Sequence, residues 1–163
     1  MALPAPRGEP RAEGRAAGVA RGTLVAFDFG ARRIGVAVGE TAIGIANPLG
    51  AIEEVANEAR FRAIAKLVEE WRPVAFVVGR PRHADASEHA TARLAEKFAR
   101  RLAARHGLPV AFVDETLTSV EARSRLRAGR TRAARSGDVD ALAASLILQA
   151  YLDDPAAHER LAP

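Results

Sequence analysis

The chain contains no cysteine. That absence excludes disulfide staples, thiolate metal sites and cysteine nucleophiles. It suits a reducing compartment, and the expectation is a cytoplasmic protein. Long apolar runs are missing as well. None approaches the roughly 20 residues that span a bilayer, so no membrane partner is expected. Residues 1–22 are rich in Ala, Gly, Pro and Arg and lack the apolar centre of a secretory signal, so they read as a disordered N-terminal tail. Aromatic residues make up only 5% of the chain. That leaves no platform for stacking single-stranded bases, and a bound nucleic acid would be read through its backbone and shape. Lysine is nearly absent too: Lys66 and Lys97 are the only two, so arginine carries the net charge of +4. A guanidinium-rich surface suits polyanions. A GC-rich genome inflates Arg and Ala alike, however, so where the arginines cluster says more than how many there are.

What is present is enough for one compact domain. The chain has 163 residues, of which 48% are apolar. Apolar runs at 23–28 and 33–39 read as two strands joined by a short turn, and a third strand lies within 43–52. Asn47-Pro48 interrupts that third run and favours an edge strand or bulge. From Glu58 to Trp71 the apolar residues recur at helical spacing. Val74 to Val78, bounded by Pro73 and Gly79, reads as a buried central strand. A second helix spans Ser87 to His106, with Gly107 as its C-cap. Val110 to Val113 is the next strand, ending at Asp114-Glu115. Thr118 or Ser119 then caps a short helix, which dissolves into an Arg- and Gly-rich segment at 123–137. A last helix runs from near Asp138 to about Leu152, and residues 153–163 read as a polar tail. The order β-β-β-α-β-α-β-α predicts an α/β fold: a five-stranded mixed sheet with helices on both faces.

Three carboxylates stand out. Asp28 ends an apolar strand where a core residue is expected, and burying an unpaired acid is costly. Glu115 ends another strand, and the strand closing at Gly79 should lie between the two. Functional groups in such sheets gather at the carboxyl ends of the parallel strands. Asp140 shares a helical stripe with Ala144, Ile147 and Tyr151, so it should face the sheet. Three such acids can converge on one point, where divalent cations would neutralise them. Oxygen-only donors favour Mg²⁺ or Mn²⁺, and a pair of such ions suits in-line attack of water on a phosphodiester. Each acid also has a plainer reading. Asp140 could serve as a first-turn acid on the helix dipole, Glu115 could pair with an arginine, and Asp28 could bond the Gly30 turn.

The stretch from Phe27 to Val38, reading FDFGARRIGVAV, resembles the opening motif of the YqgF (RuvX) family. Val77-Val78-Gly79-Arg80-Pro81, the run from Val113 to Ala122, and that from Val139 to Ala144 match its later blocks in order. The resemblance covers roughly residues 23–152, taken as one nuclease domain. It implies a ribonuclease H-like fold and a metal-dependent nuclease, endo- or exonucleolytic, that matures the 5′ end of pre-16S rRNA. It also places an acidic triad, catalytic and metal-ligating, on Asp28, Glu115 and Asp140. Alternatives are a Holliday-junction resolvase and a non-catalytic RNA-binding module with a nuclease-like fold. Two departures from the family pattern are Thr116, where arginine usually follows the Asp-Glu pair, and the loop at 82–87, which lacks the usual Asp-Gly. Neither removes a ligand.

Arg130, Arg132 and Arg135 lie in a segment whose two ends both approach the proposed site, and they are candidates to hold phosphates. Arg32, Arg33, Arg80 and Arg82 could form the opposite wall. The expected partners are RNA, with structured DNA as the alternative, and a ribosomal particle. The chain is expected as a monomer or weak homodimer; junction resolution would instead call for two paired sites in a stable two-fold dimer. Gly30 is expected to make a turn with positive φ, and Gly35 to admit a close neighbour. The four histidines lack ligand spacing and read as surface residues. A sugar-kinase or actin-like ATPase opens on a similar Asp-x-Gly hairpin but needs two such domains.

Overall fold

The computed structural model describes residues 20–81, 86–115 and 136–163. Residues 1–19 of the expected tail, the Thr118/Ser119 cap with its short helix, and most of the arginine-rich segment lie outside those described.

β1 (Thr23–Asp28), β2 (Ile34–Glu40) and β3 (Ala46–Ile52) form an antiparallel meander. α1 (Asn57–Trp71) then leads to β4 (Ala75–Pro81), and α2 (Ala86–His106) leads to β5 (Val110–Glu115). β1, β4 and β5 run parallel to one another. α3 (Ser136–Asp153) follows, and after a short 3₁₀ turn the chain adds β6 (Arg160–Leu161), antiparallel to β5. The strand order is β3-β2-β1-β4-β5-β6. The sheet therefore has six strands among the described residues, not five. The extra one lies in the stretch read as a polar tail, and at two residues it is too short to register as a strand by itself.

Alternation along the strands sends side chains to two separate cores. Val25 and Phe27 of β1, Phe76 and Val78 of β4, and Val110 and Phe112 of β5 meet Phe61 and Ile64 of α1 and Phe98 and Leu102 of α2. Phe98 stands at the centre of that layer, with the rings of Phe27, Phe29 and Phe61 5.0–5.9 Å from its own. On the other face, Leu24, Ala26, Val77, Ala111 and Val113 meet Ala144, Ile147, Leu148 and Tyr151 of α3. The helical stripe read from the sequence is thus the buried face of α3. That helix can lie close because β2 offers it Gly35, Ala37 and Gly39. A Cβ on Gly39 would stand 3.1 Å from Leu148 and 3.2 Å from Leu152.

The punctuation residues act largely as expected. Gly107 closes α2 with φ +63° and donates its N–H to the Ala103 carbonyl at 2.9 Å. Pro48 sits on an edge strand, next to a register shift between Val36 and Ala37. Gly30 differs. It is not among the positive-φ glycines, and it is needed because a Cβ there would collide with the main-chain oxygen of Arg33.

Candidate active site

Strand parity decides where the acids point. Leu24 and Ala26 face α3, so Asp28, two residues on, lies on the same face at the carboxyl end of β1. On β5, Ala111 and Val113 face α3, and Glu115 continues that series. Asp28 is half-buried, and Glu115 is 5% exposed. Between them runs β4. Phe27 pairs with Val78 and Pro81 with Glu115, so Gly79 lies in the strip separating the two acids. A Cβ on Gly79 would stand 2.6 Å from Oε1 of Glu115. The glycine thus leaves the space that the Glu115 carboxylate occupies over the centre of the sheet.

On its other side Asp28 pairs with Gly35 of β2. A Cβ on Gly35 would overlap the main-chain oxygen of Asp140. The first turns of α3 therefore rest directly on the strand beside Asp28. Two glycines flank Asp28 on neighbouring strands, and each admits one of the other two acids. This is how residues far apart in sequence reach one face at the carboxyl end of the parallel strands.

The Asp140 carboxylate already holds a cation: Arg33 donates from Nε to its Oδ2 at 2.7 Å. Arg33 belongs to the β1–β2 turn, and that turn is fixed from the opposite side by Arg60 of α1. The Arg60 guanidinium donates to the carbonyls of Gly30 at 2.9 Å, Ala31 at 2.8 Å and Glu54 at 2.6 Å. Arg60 is 4% exposed, and its burial lowers its pKa from the ordinary arginine value. Arg60 is nearly silent in the sequence. Its sole signal is its place on the stripe that buries Ile64 four residues later, where an arginine is out of pattern.

The donor set suits a hard divalent cation: three carboxylates, no sulfur and no imidazole. A guanidinium on Asp140 marks a place where positive charge is stable. As folded, however, no group of three His, Asp or Glu side chains is closed around a metal position among the described residues.

A family model described as "RuvX: Holliday junction resolvase" matches residues 22–154. The chain belongs to the RuvX family. A protein of Dechloromonas aromatica named "Putative pre-16S rRNA nuclease" is 53% identical over 135 residues, covering 82% of this chain and 92% of the relative. One of the same name from Neisseria gonorrhoeae is 46% identical over 136 residues, covering 83% of this chain and 90% of the relative. Among solved structures, "T. thermophilus RuvC in complex with Holliday junction substrate" superposes with a TM-score of 0.52 at 19% identity. It covers 85% of this chain and 99% of that one. That likeness establishes the ribonuclease H-like fold and no more.

The arginines expected along the nucleic-acid wall of this RuvX domain divide. Arg32 is exposed on the turn. Arg33 is engaged with Asp140. Arg80 is not on the wall at all. It projects to the α2 face, is 6% exposed, and donates to Asp114 at 2.9 Å, Glu96 at 3.2 Å and Glu159 at 2.7 Å, stacked 4.6 Å over the Phe112 ring. The cause is parity: Gly79 takes the α3 face, so its neighbour must take the other. Arg82, Arg130, Arg132 and Arg135 lie outside the described residues.

Proposed function

We propose that this protein is a divalent-cation-dependent nuclease that hydrolyses phosphodiester bonds in pre-16S rRNA and so helps mature its 5′ end. The names of its relatives support the substrate, and the absence of cysteine and of apolar spans suits work in the cytoplasm. Residues 23–152 are the catalytic domain, acting as a monomer or weak homodimer on RNA within an assembling ribosomal particle.

What supports this reading is that Asp28 and Glu115 lie on one face at the carboxyl ends of β1 and β5 and that the backbone of Asp140 lies against Gly35 beside them, with Gly35 and Gly79 making the room. Asp28, Glu115 and Asp140 would hold Mg²⁺ or Mn²⁺. The bound ions would supply an activated water for in-line attack at phosphorus and stabilisation of the leaving oxygen. The chain itself contributes rigidity. Asp28 and Glu115 are fixed at strand ends, Glu115 is shielded from water over Gly79, and Asp140 is carried by a helix that cannot shift without lifting off Gly35. Such fixed, preorganised groups are what transition-state charge stabilisation requires.

The test is cleavage of a 5′-extended pre-16S leader, free and within the assembling small-subunit particle, with Mg²⁺ or Mn²⁺, by wild type and by D28N. Cleavage by wild type alone supports the reading. Equal cleavage by both proteins contradicts it. RNA binding without cleavage on either substrate would favour a non-catalytic binding module, and cleavage restricted to four-way DNA junctions would favour a resolvase.

A further inference from the structure

The Arg33–Asp140 pair lies inside the candidate active site, and it brings together a group expected to bind phosphate and a group expected to bind metal. The two partners differ in freedom. The Arg33 side chain is 38% exposed and that of Asp140 13%. Asp140 rides on a helix whose backbone is pressed against Gly35. The turn bearing Arg33 is equally fixed, because Arg60 bonds the carbonyls of Gly30 and Ala31 and the Arg33 carbonyl abuts Gly30. When the pair opens, the part able to move is therefore the Arg33 side chain, which has an open path to solvent.

We infer that Arg33 is a resident counter-cation of the acidic centre, which neutralises Asp140 until a divalent ion binds and is then released to a phosphate of the RNA. This inference rests on the proposed function and assigns the order of events at its site. A divalent ion on the Asp140 carboxylate repels the guanidinium held on the same group, so loading the ion weakens the hold on Arg33 and favours its release. The freed guanidinium stands at the rim of the site, where a polyanion gives it a new partner. Ion and RNA then assist each other's binding, and by linkage the assistance is equal in both directions.

Calorimetric titration of Mn²⁺ into the full-length protein tests the first step. R33Q removes the competitor and is expected to bind Mn²⁺ more tightly, by about two- to fivefold, the range set by a partly exposed ion pair. R33K keeps the charge and should stay near wild type. The second step is read from leader-RNA affinity with Ca²⁺ and with chelator: wild type gains affinity on adding Ca²⁺, and R33Q loses that gain. Unchanged or weaker Mn²⁺ binding by R33Q overturns the proposal, and so does an undiminished Ca²⁺ gain in R33Q. D28N separates this outcome from failure of the underlying site. If D28N abolishes Mn²⁺ binding while R33Q behaves as wild type, the site stands and the counter-cation does not. If D28N leaves Mn²⁺ binding intact, both fall.

Discussion

Gly79 and Glu115 share one position over the middle of the sheet: a Cβ on the first would stand 2.6 Å from the carboxylate of the second. It would also strike the Ile147 side chain of α3. In G79A, therefore, either Glu115 moves or the helix rises. Overpacking of this kind costs about 1–3 kcal/mol. G79A should show a lower urea midpoint and, under conditions where it remains folded, a larger loss of nuclease activity than its stability alone explains. Wild-type activity in a stably folded G79A would show that Glu115 does not need this seat.

G35A meets a stiffer obstacle. The opposing atom is the main-chain oxygen of Asp140, not a side chain that can rotate away. The first turns of α3 must lift, and Asp140 with them. G35A should therefore weaken Mn²⁺ binding as well as lower the melting temperature, whereas G39A, whose Cβ would meet the ends of Leu148 and Leu152 and the main-chain oxygen of Ile45 at 3.1–3.2 Å, away from Asp140, should affect stability alone. Calorimetry on the two variants side by side distinguishes them. Equal Mn²⁺ affinity in both would mean that the α3 backbone does not set the position of Asp140.

The pattern of strands and helices was legible because it is written in local periodicity. Val25, Phe27 and their neighbours alternate, and Ala144, Ile147 and Tyr151 recur at helical spacing. Asp28 stood out for the same reason: it breaks a run that should be apolar. The arginines were less legible. Arg33, Arg60 and Arg80 are chemically alike, and their destinations depend on strand parity and on partners far away in sequence, Asp140 for one and Glu159 for another. β6 was hidden because two residues, Arg160 and Leu161, are too few to carry a periodic signal, and its existence depends on β5 offering an edge.

Arg80 leads to a stability prediction instead of a binding one. Its guanidinium joins β4, β5, α2 and the C-terminal segment through Asp114, Glu96 and Glu159. Burial alone would lower its pKa, but hydrogen bonds and charge from Asp114 and Glu159 raise it well above the ordinary value, so it stays charged at any working pH. R80A should cost about 1–3 kcal/mol through lost charged hydrogen bonds, and it should leave the salt dependence of RNA binding unchanged. Deleting residues 159–163 removes Glu159, β6 and the bond from the Phe112 N–H to the Glu159 carbonyl at 2.8 Å. That truncation should destabilise the protein in the same sense, and combining it with R80A should cost less than the two effects added together, because both remove the same ion pair. Strict additivity in denaturant melts would show that Arg80 and the C-terminal segment act independently.

His106 is not the surface histidine expected from sequence. Its Nε2 is buried without a hydrogen-bond partner among the described residues, and its ring lies edge-on to Phe76, 5.7 Å between centroids. Burial, with a smaller contribution from the charge of Arg105, lowers its pKa below the ordinary histidine value near 6.5. The fold therefore prefers the neutral ring. Above the unfolded-state pKa both states are neutral and this preference costs nothing. As pH falls below it, the unfolded chain takes up a proton that the folded chain resists, so stability drops until the depressed folded pKa is passed. Melting temperature should fall more steeply in wild type than in H106L as pH is lowered from about 7 toward 5. The difference between the two curves isolates this ring from the carboxylates, which titrate in both proteins. Parallel curves through that window would mean that His106 takes up its proton as readily in the fold as outside it.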